Sequence, residues 1–201
     1  MQASRWTNDA LFSSKSNEWG TPMWLIDLVE EEYGTIGLDV AASDANNKAL
    51  VYFTKEDDTI GSGYDWRTLY KKKLRELGMA GELCDTVWCN PPYGRDIGKW
   101  MERCVHESFE PAFYRGSNTT FKTVIGLVFA RTDTRWFHDW VVPWASMVYF
   151  IKGRLKFEHS DGRTGPAPAP SMLVVWSGSK SETCRFATIC REEGIIDPRH
   201  Y

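Results

Sequence analysis

The chain has 201 residues, enough for one domain with a sizeable core and a tight fit for two. It is 42% hydrophobic and 25% charged with a mean hydropathy of -0.41, ordinary for a globular protein, and no run approaches the roughly 18 apolar residues that a membrane span needs. A formal net charge of -3 gives no whole-protein attraction to nucleic acid, so any such partner has to be gripped by a local patch.

Residues 1–17 are polar, without the apolar stretch of a secretory leader, and read as a loose arm ahead of a single domain over 18–201. Thr21-Pro22 reads as a helix start, with Thr as N-cap and Pro in the first turn. "MWLIDLVEEEY" follows with Trp24, Leu25, Leu28 and Val29 at helical spacing, and Gly34 ends it. "TIGLDV" is a first strand, followed by the small residues Ala41, Ala42 and Ser43, and "ALVYF" is a second, ending at "TKEDD". A third strand is expected only as edge residues around Tyr64 and Asp65. The basic stretch after Trp66 is a helix, "LCDTVWC" a fourth strand, "IGKWMERCVHESF" a helix and "KTVIGLVFA" a deeply buried fifth strand. "TRWFHDWV" is a short helix. "SMVYFI" and "SMLVVW" are two late strands joined by a Gly/Pro-rich loop from Gly153 to Pro170.

Strands alternating with helices, then a late strand pair, indicate an α/β fold with a mainly parallel sheet and an antiparallel hairpin at its edge. In open sheets of this kind ligands sit beyond the carboxyl ends of the strands. "DVAAS", "TKEDD", "DW", "NPPY" and "ART" each follow a predicted strand, which marks that edge as the site.

Five cysteines, Cys84, Cys89, Cys104, Cys184 and Cys190, form an odd set without a C-x-x-C pair. This argues against a disulfide scaffold or structural zinc, and for a reducing compartment with cytoplasm as the default. No metal, membrane or obligatory protein partner is expected. Basic residues gather in two places, Arg67 to Arg75 and Arg131 to Arg163, either as solvated faces or as small target-recognition elements within 66–78 and 131–170.

The most informative stretch is "CDTVWCNPPYG", in which a hydrophobic run stops at Asn90-Pro91-Pro92-Tyr93. Neither proline has an N–H, so the strand has to end there. An exocyclic amine conjugated to a purine ring is a poor nucleophile because its lone pair is delocalised. The Asn90 side-chain carbonyl and the Pro91 backbone carbonyl can accept its two hydrogens and leave the lone pair pointing outward. Proline rigidity holds these acceptors in place, and Tyr93 can stack on the ring. Such a transfer needs no strong base, because the amine becomes acidic only after the methyl has arrived.

The sequence resembles the small phage- and prophage-type DNA N6-adenine methyltransferases, the Dam-like family. The resemblance runs from about Asn17 to Trp176, through "EWGTP", "LDVAAS", "YFTKEDD", "DW", "WCNPPYG", "ARTDTRWFHDWV", "FIKGRLKFE" and "APAPSMLVVW". It implies a Rossmann-like methyltransferase sheet, S-adenosylmethionine as methyl donor and adenine in double-stranded DNA as acceptor. By matching positions, Thr21 and Pro22 would lie near the methionine part of the donor. Asp39 and Ala41 would flank its amino and carboxylate groups, and one of Glu56, Asp57 and Asp58 would hold the ribose. Asp65 with Trp66 would hold and cover the donor's adenine, the lesser alternatives being a helix N-cap for Asp65 and a turn cap for Asp39. "DVAAS" departs from the glycine-rich first motif of many methyltransferases, and alanine admits close approach less readily.

Reaching an amine inside a duplex requires turning the nucleotide out of the stack. Arg131, Thr132 and Arg135 are candidates for gripping phosphates. Phe157 is a candidate second wall for the base, with Arg154 or Lys156 on the backbone, and edge packing is the bland alternative for Phe157. The same motif would serve adenine in RNA or a glutamine amide in a protein, and a non-catalytic DNA-binding protein of the same fold is a further alternative. Glutamine methyltransferases usually carry a helical substrate domain ahead of the core, for which this arm is too short. Protection from restriction and regulation by marking both fit the reading.

Overall fold

A computed structural model describes residues 19–79, 85–109, 121–159, 161–177, 184–192 and 194–196. The arm expected over 1–17, and Cys84, lie outside them. The chain enters through a two-residue strand, β1 (Trp19–Gly20), and a helix, α1 (Met23–Tyr33). Then come β2 (Ile36–Asp39), β3 (Val51–Tyr52), a 3-10 turn (Lys55–Asp57) and α2 (Trp66–Glu76). β4 (Thr86–Cys89), α3 (Ile97–Ser108), β5 (Thr123–Phe129) and a π-helical turn (Phe137–Val141) follow. The remaining strands are β6 (Met147–Ile151), β7 (Lys156–His159), β8 (Thr164–Pro166), β9 (Ser171–Ser177), β10 (Arg185–Cys190) and β11 (Gly194–Ile196).

Eight strands form one mixed sheet in the order β11-β10-β6-β9-β5-β4-β2-β3. β3, β2, β4 and β5 run parallel to one another, so their carboxyl ends share one edge. The late strand pair is not an edge hairpin. β9 lies antiparallel between β5 and β6, while β10 continues beyond β6 in parallel. The reason is in β9 itself: Ser171 to Trp176 are all buried, as a strand covered on both faces must be.

The stretch from Gly153 to Pro170 is not simply a loop. β7 and β8 pair within it, and β1 pairs with β7, making a second sheet in the order β1-β7-β8. The edge strand expected at Tyr64–Asp65 is absent; Asp65 instead caps α2, its Oδ1 accepting from Thr68 N at 2.7 Å. Thr21 does not cap α1 either. Pro22 occupies the cap position with ψ of 141°, and the Thr21 hydroxyl is engaged elsewhere.

Side-chain alternation along the strands builds two cores. Leu38, Val87, Cys89, Val124, Val174 and Trp176 join Trp66, Tyr70 and Leu74 of α2 and Trp100, Met101 and Cys104 of α3. Trp88, Ile125, Leu127, Leu173 and Val175 join Leu25, Ile26 and Val29 of α1, together with Phe157 of the second sheet and Leu155 and Ala167 beside it. Each such fully buried aliphatic or aromatic side chain contributes about 1.5–3 kcal/mol of hydrophobic stabilisation. Among the described residues no helix is long and apolar enough to cross a membrane.

Candidate active site

The parallel strands bring three chain reversals to one edge: β2 ends at Asp39, β4 runs into Asn90, and β5 ends at Phe129. A cavity of about 580 Å³ opens there, lined by Asp39, Ala41, Asp58, all of Asn90 to Tyr93, and Phe157, among others.

Asp39 is 3% exposed. Its Oδ1 accepts from Ala41 N at 3.3 Å and its Oδ2 from Lys48 N at 3.0 Å. Burial raises its pKa to about 7, and the two backbone N–H groups pull in the opposite direction. A carboxyl so placed gains from any cation that enters the cavity.

Of the three acids after β3, Asp58 lines the cavity and the other two do not. Asp57 closes the 3-10 turn, accepting from Thr54 N at 2.8 Å and pairing with Lys73 at 3.5 Å. Glu56 is exposed, and a hydrogen bond with Thr54 holds its carboxyl below the usual range. Asp58 takes a left-handed backbone (φ 45°), and Gly61 N donates to its Oδ1 at 3.2 Å.

Asn90 sits where β4 can no longer pair, because Pro91 and Pro92 offer no N–H. Its Nδ2 donates to Thr21 Oγ1 at 3.4 Å, and Tyr93 OH donates to its Oδ1 at 3.2 Å. Thr21 is 1% exposed and lies on the cavity wall. The Tyr93 ring is stacked on Phe129, and burial keeps its hydroxyl protonated well above the usual range. The amide is therefore held from both ends, and an acceptor oxygen with two lone pairs keeps one for a further donor.

The other expected residues are dispersed. Pro22 caps α1 and is not on the wall. Trp66 is 0% exposed in the core, its Nε1 donating to Thr59 O at 3.0 Å; it backs the wall through Thr59 and has no face to offer a ligand. Trp100 of α3 reaches the wall in its place. Phe157 reaches the wall from β7, beside Gly165, where a Cβ would meet the Trp19 indole at 2.9 Å. Arg131 lines a second hollow of about 300 Å³ that shares Tyr93, Gly94 and Phe129 with the main cavity. Thr132 is exposed next to it, and exposed Arg135 pairs with Asp139 at 3.0 Å. Arg154 Nη1 donates to Ala167 O at 3.4 Å and is not on the wall. Among the described residues no three His, Cys, Asp or Glu side chains gather as a metal site requires.

Residues 9–198 match the family model for DNA N-6-adenine-methyltransferase (Dam). The chain belongs to this family. It is also 25% identical over 166 residues to the DNA N-6-adenine-methyltransferase of Haemophilus phage HP1, a match covering 81% of this chain and 80% of that one.

In this Dam-family enzyme the wall also holds residues that the sequence did not single out, among them Trp19, Lys48 and Trp100. Trp19 and Trp100 carried the only signal, unusual aromatic content on either side of the Asn90 motif. Lys48 sits in the connection after β2, and nothing local distinguishes it from an ordinary loop residue.

Proposed function

We propose that this Dam-family enzyme transfers a methyl group from S-adenosylmethionine to N6 of an adenine turned out of double-stranded DNA, on a Rossmann-like methyltransferase sheet. The observation that carries the reading is the Asn90 amide, held between Thr21 and Tyr93 on the wall of a cavity that also presents Asp39 and Asp58.

The residues present fit such a donor. The buried Asp39 carboxyl, pushed up to about 7 by burial, gains from an ammonium. Ser43 Oγ is buried on the same wall without a hydrogen-bond partner among the described residues. Asp58 is the acid placed to hold ribose hydroxyls, and Trp100 and Ile60 supply apolar wall. When bound, the donor supplies an electrophilic methyl group on a sulfonium.

The chain's own part is positional. Asn90 Oδ1 and the Pro91 carbonyl accept the two amine hydrogens, which favours a pyramidal nitrogen with its lone pair free. Tyr93, one face covered by Phe129, offers the other to the base, and Phe157 is the opposing wall. Turning the nucleotide out costs a few kcal/mol. With a net charge of -3, Arg131, Thr132 and Arg135 beyond β5 supply the local grip on phosphates that offsets it.

Transfer of labelled methyl from S-adenosylmethionine to unmethylated DNA tests this, with nucleosides separated by mass. N6-methyladenine from the wild type and none from Asn90→Ala is the expected outcome. Label in RNA or in a protein fraction, with DNA blank, would keep the amine chemistry and refute the substrate.

A further inference from the structure

Lys48 lies on the wall of the main cavity and has no part in the chemistry above. Its backbone N–H donates to Asp39 Oδ2, which fixes it beside the buried acid. Its half-buried side chain runs past the turn before α1. Nζ lies 3.8 Å from Met23 Sδ, and a Cβ on Gly20 would come within 3.3 Å of it. That sulfur is the only hydrogen-bonding or ion-pairing contact of the ammonium among the described residues. Burial lowers the Lys48 pKa, while the charges of Glu158 and Asp39 pull it back up. A partly desolvated ammonium beside a cavity, with no anion in contact, is short of its natural partner.

The same corner holds two complementary groups. Asn46 Oδ1 accepts from Ser43 N at 2.7 Å, and Asn46 Cβ and Lys48 Nζ both border Gly20. Ser43 Oγ, a hydroxyl without a partner among the described residues, lines the same cavity as Lys48, and Asp39 is bonded to the Lys48 backbone. One cation, one hydroxyl and one buried acid together match a ligand carrying an ammonium and a carboxylate on the same carbon. That is the head of an α-amino acid.

We propose that Lys48 anchors the α-carboxylate of the methyl donor, with Ser43 Oγ as a second donor to it, while Asp39 takes the α-ammonium. The assignment rests on the donor reading given under Proposed function. It divides the zwitterion between two residues that the β2–β3 connection holds side by side.

Titration calorimetry with S-adenosylmethionine and with its decarboxylated analogue, on wild type, Lys48→Met and Lys48→Arg, tests it. The wild type should prefer the intact donor by about ten- to a hundredfold, the range of a charge-assisted hydrogen bond. Lys48→Met should lose that preference through weaker binding of the intact donor, and bind the decarboxylated one as well as before or better. Lys48→Arg should keep the preference. Equal weakening of both ligands by Lys48→Met would mark a structural role and overturn the assignment, as would an unchanged preference. In either case the donor reading would stand. If the wild type bound no S-adenosylmethionine at all, the donor reading would fall and this assignment with it.

Discussion

Tyr93 lies flat on Phe129, ring centroids 3.9 Å apart and planes 9° from parallel. The contact joins the end of β4 to the end of β5, and it sets the angle at which the Tyr93 hydroxyl meets Asn90 Oδ1. Stacked pairs are worth about 0.5–1.5 kcal/mol beyond their burial. Phe129→Leu keeps most of the volume and removes the stacking. It should lower the methyl-transfer rate by roughly threefold to tenfold, with a smaller change in thermal midpoint than Phe129→Ala. Single-turnover kinetics beside differential scanning calorimetry checks both.

Thr21 orients rather than caps. Thr21→Val keeps shape and removes the acceptor for Asn90 Nδ2, so the amide is free to turn its oxygen away from the cavity. A neutral hydrogen bond contributes about 0.5–1.5 kcal/mol. Turnover should therefore fall by about threefold to tenfold, with KM for DNA unchanged and Thr21→Ser close to wild type. A matching rise in KM would show that Thr21 holds substrate instead.

Asp58 and Asp65 have separable roles. Asp65 caps α2 through Thr68 N, so Asp65→Ala should reduce stability by about 1 kcal/mol and leave donor affinity alone. Asp58 faces the cavity, so Asp58→Ala should weaken donor binding by about tenfold or more, the loss of a hydrogen bond to a charged group. Urea unfolding and donor titration on the two variants check both, and unchanged donor affinity in Asp58→Ala would refute the role given to Asp58.

Two buried carboxyls titrate near neutrality. Asp39 is raised from 3.8 to about 7 chiefly by burial. Glu107 is raised from 4.5 to about 7, also chiefly by burial, with Arg103 and Trp66 N opposing. For both, the folded pKa exceeds the unfolded one, so their contribution to stability is full below the ordinary carboxylate pKa and is lost as pH rises through about 7. The free protein should become less stable from about pH 4 to 7 and level off above that, and Asp39→Asn with Glu107→Gln should flatten that slope. Binding of an ammonium-bearing donor requires ionised Asp39, so affinity should rise toward pH 7 and then level. Melting curves and donor titrations across that range check both signs.

The site was legible where chemistry is local and obscure where it depends on contacts made later in the chain. Asn90-Pro91-Pro92-Tyr93 announces itself because two prolines must end a strand. β2, β4 and β5 announce themselves as apolar runs between turn signals. The choice among Glu56, Asp57 and Asp58 was not legible, since it turns on Asp57 being consumed by Thr54 and Lys73 and on Asp58 adopting a left-handed backbone. Trp66 and Trp100 are alike in sequence, and only the packing of α2 against α3 sends one inward and the other to the wall. The place of β9 between β5 and β6 was missed, although its unbroken apolar run suits a strand covered on both faces, and the pairing of β1 with β7 had no local sign at all.

That last pairing bears on when the protein becomes competent during its synthesis. Trp19 is matched with His159, far along the chain, and Trp19 and Phe157 reach the cavity from these two strands. Closing so long a loop is entropically slow, and it cannot begin until the second partner has been made. A nascent chain can assemble β2 to β5 with their helices and still lack a finished cavity wall. The wall is completed only when β7 has emerged from the ribosome, so partly synthesised chains should carry the Asn90 motif without being able to use it.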